Sequence, residues 1–298
     1  MIDLGIAAPL AAALAAKGYE KLTAVQMAVL ADEAQGRDLL VSAQTGSGKT
    51  VAFGIAMADQ ILAGSDKLLY ADVPLALCIA PTRELALQVA RELEWLYGPA
   101  GAQIATCVGG MDYRTEKRAL DRGAHIVVGT PGRLRDHIER GSLDLSGIQA
   151  VVLDEADEML RMGFIDDVET IIRKSPETRQ VALFSATMST AIKRIAQKYL
   201  KSPIEVQIEA KTRTADNIRQ RCWQVSGLHK LDALTRILEV EPFDGMIIFA
   251  RTKLATDELA QKLQARGFSA AAINGDINQA QRERTIGQLK DGSIDILV

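Results

Sequence analysis

The 298-residue sequence holds only three cysteines, Cys78, Cys107 and Cys222, odd in number and far apart. That count and spacing exclude a disulfide framework and a cysteine metal site. The thiols read as core residues of a chain kept in a reducing compartment. Histidine is as scarce: His125, His137 and His229 show no ligand spacing, and no role is assigned to them. There is no excess of charge, since 35 basic residues face 38 acidic ones, a net of −3. A near-neutral total neither suggests nor excludes nucleic acid, because a basic patch can hide within it. No stretch approaches the ~20 uncharged apolar residues of a membrane helix. The one leader-like segment, Leu4 to Gly18, follows Asp3, lacks a basic flank and is interrupted by Pro9; a secretory signal would have the basic flank. Ile6, Leu10 and Leu14 recur there at helical spacing, so an Ala-rich helix packed on the domain is expected. The expectation is a soluble, cytoplasmic protein without membrane association. Low-complexity tracts and clear internal repeats are absent too.

What is present is an ordinary core-forming composition, 48% apolar and 24% charged. Short apolar runs alternate with helical patterns. The runs are 38–43, 75–80, 125–130, 150–156, 181–187 and 204–210, and helix-like segments include 50–62 and 83–96. That alternation predicts an α/β fold, a parallel sheet covered by helices on both faces. Residues 211–217, KTRTADN, are polar and aperiodic and read as linker. A second, shorter alternating series follows, with runs at 221–225, 245–250, 269–274 and 294–298. The predicted organisation is a first domain over 1–208, a linker over 209–217 and a partial second domain over 218–298.

The strongest local signal is AQTGSGKT, comprising Ala43, Gln44, Thr45, Gly46, Ser47, Gly48, Lys49 and Thr50. It follows an apolar strand and opens a helix, the context that gives a phosphate loop its meaning. Gly46 and Gly48 let backbone N–H groups face an anion, and the helix start adds its positive dipole end. Lys49 can reach the β- and γ-phosphates, and the Thr50 hydroxyl can ligate Mg²⁺. A metal needs an acid, and Asp154 stands where the run Val151, Val152, Leu153 ends. Glu155 is placed to orient or deprotonate a water attacking the γ-phosphate. Asp157 and Glu158 read equally well as an acidic helix start favoured by the dipole.

Asp154-Glu155-Ala156-Asp157 spells DEAD, and the chain resembles the DEAD-box RNA helicases. PTRELALQ (81–88), GG (109–110), TPGR (130–133) and SAT (185–187) look like that family's further motifs, in family order, and GYEKLTAVQ (18–26) resembles its Q motif. In the second series IIFART (247–252) and GDINQAQRER (275–284) resemble motif IV and the adjoining Gln-x-x-Arg segment. The resemblance implies two RecA-like domains, ATP with Mg²⁺ as ligand, and RNA as partner. It implies that Gln26 and Tyr19 meet the adenine, which a Gln amide can both donate to and accept from. Met1 stands where the family has an upstream aromatic, and Leu22 replaces a usual Pro. Pro81, Thr82, Arg83, Gly110, Thr130, Pro131 and Arg133 fall at positions that grip the RNA backbone, as short loops carrying Arg, Thr and free N–H groups can without reading sequence. Gln279 and Arg282 match from the second domain, and Asn274 stands where the family often has His. Ser185 and Thr187 fall in the motif that couples ATP hydrolysis to strand separation.

The implied function is an ATP-dependent RNA helicase. In the family the strand resembling IDILV (294–298) runs on into motif V and then the arginine finger of motif VI. The expectation is therefore a core truncated before these motifs, poorly active alone, with an exposed apolar edge at 294–298. Two readings compete. One is a non-catalytic module binding ATP and RNA; the other is a phosphate-loop NTPase acting on something other than RNA, against which PTRELALQ and TPGR argue.

Overall fold

Six of the short apolar runs and one further strand assemble into one sheet in the computed structural model, which describes residues 5–208 and 218–298. Met1 and the expected linker lie outside these residues. The strands are β1 (Leu39–Ser42), β2 (Ala76–Ile79), β3 (Ile104–Cys107), β4 (Ile126–Gly129), β5 (Ala150–Leu153), β6 (Gln180–Ser185) and β7 (Ile204–Gln207). Their order is β3-β4-β2-β5-β6-β1-β7, and each pairing is parallel. Strand β3 was not among the runs singled out in the sequence. Its burial alternates instead of being continuous, because it is an edge strand.

Side chains of period two divide the core into two layers. Leu39, Val41, Cys78, Val152 and Phe184 point to one face, and α1 (Ala8–Ala16), α2 (Ala24–Ala28), α3 (Lys49–Ala56), α4 (Ala58–Leu62) and α5 (Arg83–Tyr97) cover it. Leu40, Leu77, Ile79, Val151, Leu153 and Leu183 point to the other. There they meet α6 (Tyr113–Asp121), α7 (Pro131–Glu139), α8 (Ala156–Arg161), α9 (Ile165–Lys174) and α10 (Thr190–Tyr199). The helix expected over 50–62 is two helices meeting at Met57. At that break the Gly54 carbonyl accepts the buried Tyr97 hydroxyl at 2.6 Å, a bond from outside the helix. Pro9 lies in the first turn of α1, where its missing N–H costs nothing.

The chain divides into two compact units, Met1–Arg213 and Thr214–Val298. The second carries α11 (Lys230–Val240), α12 (Lys253–Ala265) and α13 (Gln279–Lys290), with short parallel strands β8 (Met246–Ile247), β9 (Ala270–Ala271) and β10 (Ile296–Leu297). Three sequence expectations are corrected here. The run 294–298 is no exposed edge: β10 is the central strand, in the order β8-β10-β9, and Ile296, Leu297 and Val298 are buried. Residues 221–225 form no strand, since neither edge of this sheet pairs with them, and Trp223 is 52% exposed. Cys222 is exposed with them, so only Cys78 and Cys107 are core thiols. Among the described residues no helix is long and apolar enough to cross a membrane.

Candidate functional site

Because the large sheet is parallel throughout, all seven strand C-termini lie along one edge, the edge where α/β proteins place ligands. The strand order then sorts the candidate residues. The loops after β1 and β5 carry the phosphate-loop sequence and the two acids, with the Ser185 end of β6 between them. The loops after β3, β4 and β2, adjacent to one another, carry Gly110, then Thr130 to Arg133, then Pro81 to Arg83.

On the β1/β5 side is a cleft of about 260 Å³, lined by Tyr19, Thr45, Gly46, Gly48, Lys49, Thr50, Asp154 and Glu155 among others. Gly46 and Gly48 hold φ of +81° and +85°, and α3 starts directly after them. The Lys49 Nζ lies 3.8 Å from Asp154 Oδ1 and 3.9 Å from Glu155 Oε1. Both Lys49 and Asp154 are buried, and Nζ and Oδ1 have no hydrogen-bond partner. Burial dominates at Asp154 and pushes its carboxyl up to about 6, with Lys49 opposing the shift and Glu155 adding to it. A buried ammonium and a buried carboxylate oxygen left without close partners are costly. A phosphate beside a divalent cation would satisfy both, and Thr50 and Asp154 offer the hard oxygens that Mg²⁺ takes. The residues present therefore fit a Mg²⁺-bound phosphate chain. Glu155 itself sits at φ +52°, ψ +51°, a left-handed conformation that costs a non-glycine residue about 1–3 kcal/mol and gathers at functional sites. Its Oε1 is 3.5 Å from Thr45 Oγ1.

Of the remaining phosphate-loop residues, Ala43 is buried, Gln44 is exposed, and the buried Ser47 Oγ lacks a partner. Gln26 lies against the phosphate loop. It is 1% exposed, its Oε1 accepts from Thr23 N at 2.9 Å, and its Nε2 donates to Gly48 O at 3.2 Å. The amide is turned onto the phosphate loop, not into the cleft. Sequence reasoning also missed one wall. Leu85, Gln88, Val89 and Glu92 of α5 line the cleft as a single i, i+3, i+4, i+7 stripe.

Asp157 is no mere dipole acid. Its Oδ2 accepts from Thr187 N at 3.1 Å and Thr187 Oγ1 at 2.9 Å, while Ser185 Oγ donates to Thr187 O at 2.8 Å. Burial alone would raise Asp157, but hydrogen bonds from Thr187 and Ser185 outweigh it and hold the carboxyl below the usual range. Ser185 and Thr187 thus reach the acidic segment through Asp157 and do not line the cleft.

On the β3/β4/β2 side the arginines face inward. Arg133 Nη2 donates to Met111 O at 2.7 Å, and its Nε lies 3.3 Å from Glu116 Oε2. The buried Glu116 Oε1 accepts from Val108 N at 2.8 Å, and Oε2 meets His137 Nε2 at 2.7 Å. His137 is fully buried, Tyr113 stacks on it at 4.4 Å, and Ser142 Oγ is 2.8 Å from its Nδ1. Arg83 Nη2 is 3.2 Å from Met111 Sδ. These contacts brace the loop 108–111 that presents Gly109 and Gly110. Cys107, Glu116 and His137 lie close enough to suggest a metal, yet the guanidinium on Glu116 supplies the cation and burial keeps the Cys107 thiol protonated. Thr82 caps α5 by accepting from Leu85 N at 3.3 Å, Pro81 and Pro131 are buried, and Thr130 precedes α7 half-exposed. His137 and Glu116 escaped sequence reasoning because they sit 21 residues apart on different helices. In the second unit Arg282 Nη1 donates to Gln279 Oε1 at 3.0 Å, and Asn274 Nδ2 donates to Thr256 Oγ1 at 2.9 Å.

Comparisons with known proteins follow the same division. The family described as DEAD/DEAH box helicase matches residues 23–195, and the helicase conserved C-terminal domain matches residues 229–298. The ATP-dependent RNA helicase DeaD of Mycobacterium tuberculosis is 54% identical over 99% of this chain and 51% of its own length. That of Escherichia coli is 50% identical over 99% of this chain and 46% of its own. The chain thus spans about half the length of these relatives. A DEAD box protein from Methanococcus jannaschii aligns with TM-score 0.61 and 38% identity, covering 98% of this chain and 77% of that one. Saccharomyces cerevisiae Dbp5 bound to RNA and ADP BeF3 aligns with TM-score 0.83 and 28% identity, covering 99% and 74%.

Proposed function

The chain belongs to the DEAD/DEAH box helicase family, with the RecA-like core that this implies, and from that premise we propose that it carries the ATP- and RNA-binding part of an ATP-dependent RNA helicase. The observation that carries the reading is the buried pair Lys49 Nζ and Asp154 Oδ1, 3.8 Å apart and lacking hydrogen-bond partners, beneath a glycine-curled loop at a helix start. Lys49 neutralises the terminal phosphates, and Thr50 and Asp154 hold Mg²⁺, which supplies charge neutralisation when bound. Glu155, fixed in its left-handed conformation, orients the attacking water and takes its proton. Tyr19 walls the base end. Gln26 holds the Gly48 carbonyl and so ties the base-side segment to the phosphate loop.

RNA is proposed to lie along the β2/β3/β4 ends, held by Pro81 to Arg83, Gly110 and Thr130 to Arg133 through its backbone; Gln279 and Arg282 are proposed, separately, as RNA-backbone contacts of the second unit. That a structural relative is bound to RNA supports RNA as the ligand. Thr187, bonded to Asp157, and Ser185, bonded to the Thr187 carbonyl, stand at the end of β6 between the phosphate loop and the acidic segment, and are proposed to couple hydrolysis to strand separation. Hydrolysis coupled to unwinding is proposed for the whole protein. For this stretch by itself ATP and RNA binding with slow turnover are proposed; an arginine that stabilises the transferring phosphoryl group is worth about 10³–10⁵ in rate. The cytoplasm is the proposed location.

Phosphate release from Mg-ATP, with and without single-stranded RNA and with Glu155→Gln as control, tests the reading. The expected result is bound nucleotide with turnover that RNA barely raises. Strong RNA-stimulated turnover abolished in Glu155→Gln would overturn the slow-turnover proposal, and absence of RNA binding would favour an NTPase acting on something else.

A further inference from the structure

On α7, next to the braced loop, the exposed arginines are matched with acids. Arg135 pairs with Glu139 at 2.7 Å and with Asp167 at 2.9 Å, and Arg140 pairs with Asp136 at 2.6 Å. Helix α6 differs. Arg114, Arg118 and Arg122 recur every four residues along it, and all three are exposed. Among the described residues none of the three forms an ion pair, because the acids of this helix are committed elsewhere. Asp112 caps the helix, accepting from Thr115 N and Oγ1 at 3.0 Å each. Those bonds hold its carboxyl below the usual range, with the smallest shares coming from Arg114. Glu116 is turned into the core, bonded to Val108 N and His137, and Asp121 takes Lys117 at 2.7 Å. Arg122 Nε donates to the Arg118 carbonyl at 3.2 Å, which fixes the far end of the row. A chain of net charge −3 thus carries one helix face whose guanidinium groups are left to solvent.

Helix α6 starts just after the loop 108–111 and packs on β3, the outermost strand of the large sheet. Strands β3 and β4 are parallel, so the helix joining them must run back from their C-terminal edge to their N-terminal edge. The row of arginines therefore begins at the edge that carries Gly110 and leads down the flank of the first unit. A rise of 1.5 Å per residue sets successive members about 6 Å apart along the axis, about 12 Å from first to last. That step is comparable to the one between successive phosphates of a nucleic acid strand. We propose that Arg114, Arg118 and Arg122 form a backbone-binding extension of the RNA site, which takes the single strand where it leaves the loop 108–111 and passes β3. The assignment rests on the RNA reading above. Guanidinium forks bind phosphate through paired hydrogen bonds and keep their charge. The exposed positions of α6 carry no aromatic side chain on which a base could stack, so the contact is with phosphates and is blind to sequence.

The test is fluorescence anisotropy of labelled oligouridines of about 6 and about 20 nucleotides, bound to the 298-residue chain with Mg²⁺ and a nonhydrolysable ATP analogue across a series of salt concentrations. The variant is Arg114→Gln/Arg118→Gln/Arg122→Gln. Arg173→Gln/Lys174→Gln, at the end of α9 that leads into the start of β6 and so at the opposite edge of the sheet, controls for lost positive charge. Each neutralised phosphate of a single strand contributes about 0.7 to the slope of log affinity against log salt. The triple variant should therefore lose about 2 from that slope on the long RNA and bind it roughly tenfold more weakly. The short RNA is held by the loops alone and should bind the triple variant as it binds the parent, which also reports that the variant is folded. The control should match the parent on both RNAs. Unchanged binding of the long RNA by the triple variant overturns the inference and leaves the RNA reading standing. So does an equal loss on both RNAs, or the same loss in the control, since the effect would then be one of net charge. A parent chain that binds neither RNA overturns the RNA reading and this inference with it.

Discussion

Asp154 is held in an environment that penalises its charge. Its carboxyl is pushed from 3.8 to about 6 by burial, despite Lys49 nearby. Between these values the folded state binds more protons than the unfolded one, so this group makes the ligand-free fold less stable as pH rises through about 6. The difference corresponds to roughly 3 kcal/mol by pH 7. Urea unfolding at pH 4 to 7 should show this slope in the parent and its loss in Asp154→Asn; equal slopes would contradict the assigned burial cost. Asp157 works in the opposite sense, because hydrogen bonds from Thr187 and Ser185 favour its charged form. Thr187→Val should destabilise the fold by about 1.5–3 kcal/mol, the scale of a hydrogen bond to a charged group. Its unfolding midpoint measures this, and an unchanged midpoint would remove Asp157 as the link to the Ser185 strand. Asp154 and Asp157 were equally visible as sequence, but their roles were not. The first follows a strand and completes a phosphate loop, which a linear motif records. The second acts through Thr187, 30 residues away, and only folding reveals that partner.

At the scale of elements, a loop and a helix start are locked together. A Cβ on Gly48 would meet Gln26 Nε2 at 2.5 Å, in a backbone conformation that already disfavours side chains. Gly48→Ala should therefore displace Gln26 and weaken Mg-ATP binding at least tenfold, readable by titration; retained affinity would show that the loop tolerates reshaping. The loop 108–111 is braced from below. Glu116→Ala would strand Arg133, His137 and the Val108 N–H, and breaking a buried ion pair costs about 3–5 kcal/mol. Denaturant unfolding checks this, and a loss under about 1 kcal/mol would mean the cluster is not a brace. Strands β1, β2, β4, β5 and β6 were legible because they are buried on both faces and read as unbroken apolar runs. Edge strand β3 lacks that signature. Residues 221–225 look strand-like, but a strand is made by its neighbours and none pairs with them.

At the scale of the whole molecule, the alternation of strands and helices, the linker composition and the motif order all pointed to a parallel α/β core in two units. The sorting of those motifs along one sheet edge was not legible, because it depends on the order β3-β4-β2-β5-β6-β1-β7, which the chain order does not state. That order sets phosphate-loop and acidic residues on one half and the inward-braced arginine loops on the other. The first half is proposed to be a Mg-ATP site built on Lys49 and Asp154. Calorimetric titration of Mg-ATP into the 298-residue chain and into Lys49→Ala tests it most directly. One site is expected in the parent and at least a hundredfold loss in the variant, about 2.7 kcal/mol or more. Equal binding by both chains, or no binding by the parent, would contradict it.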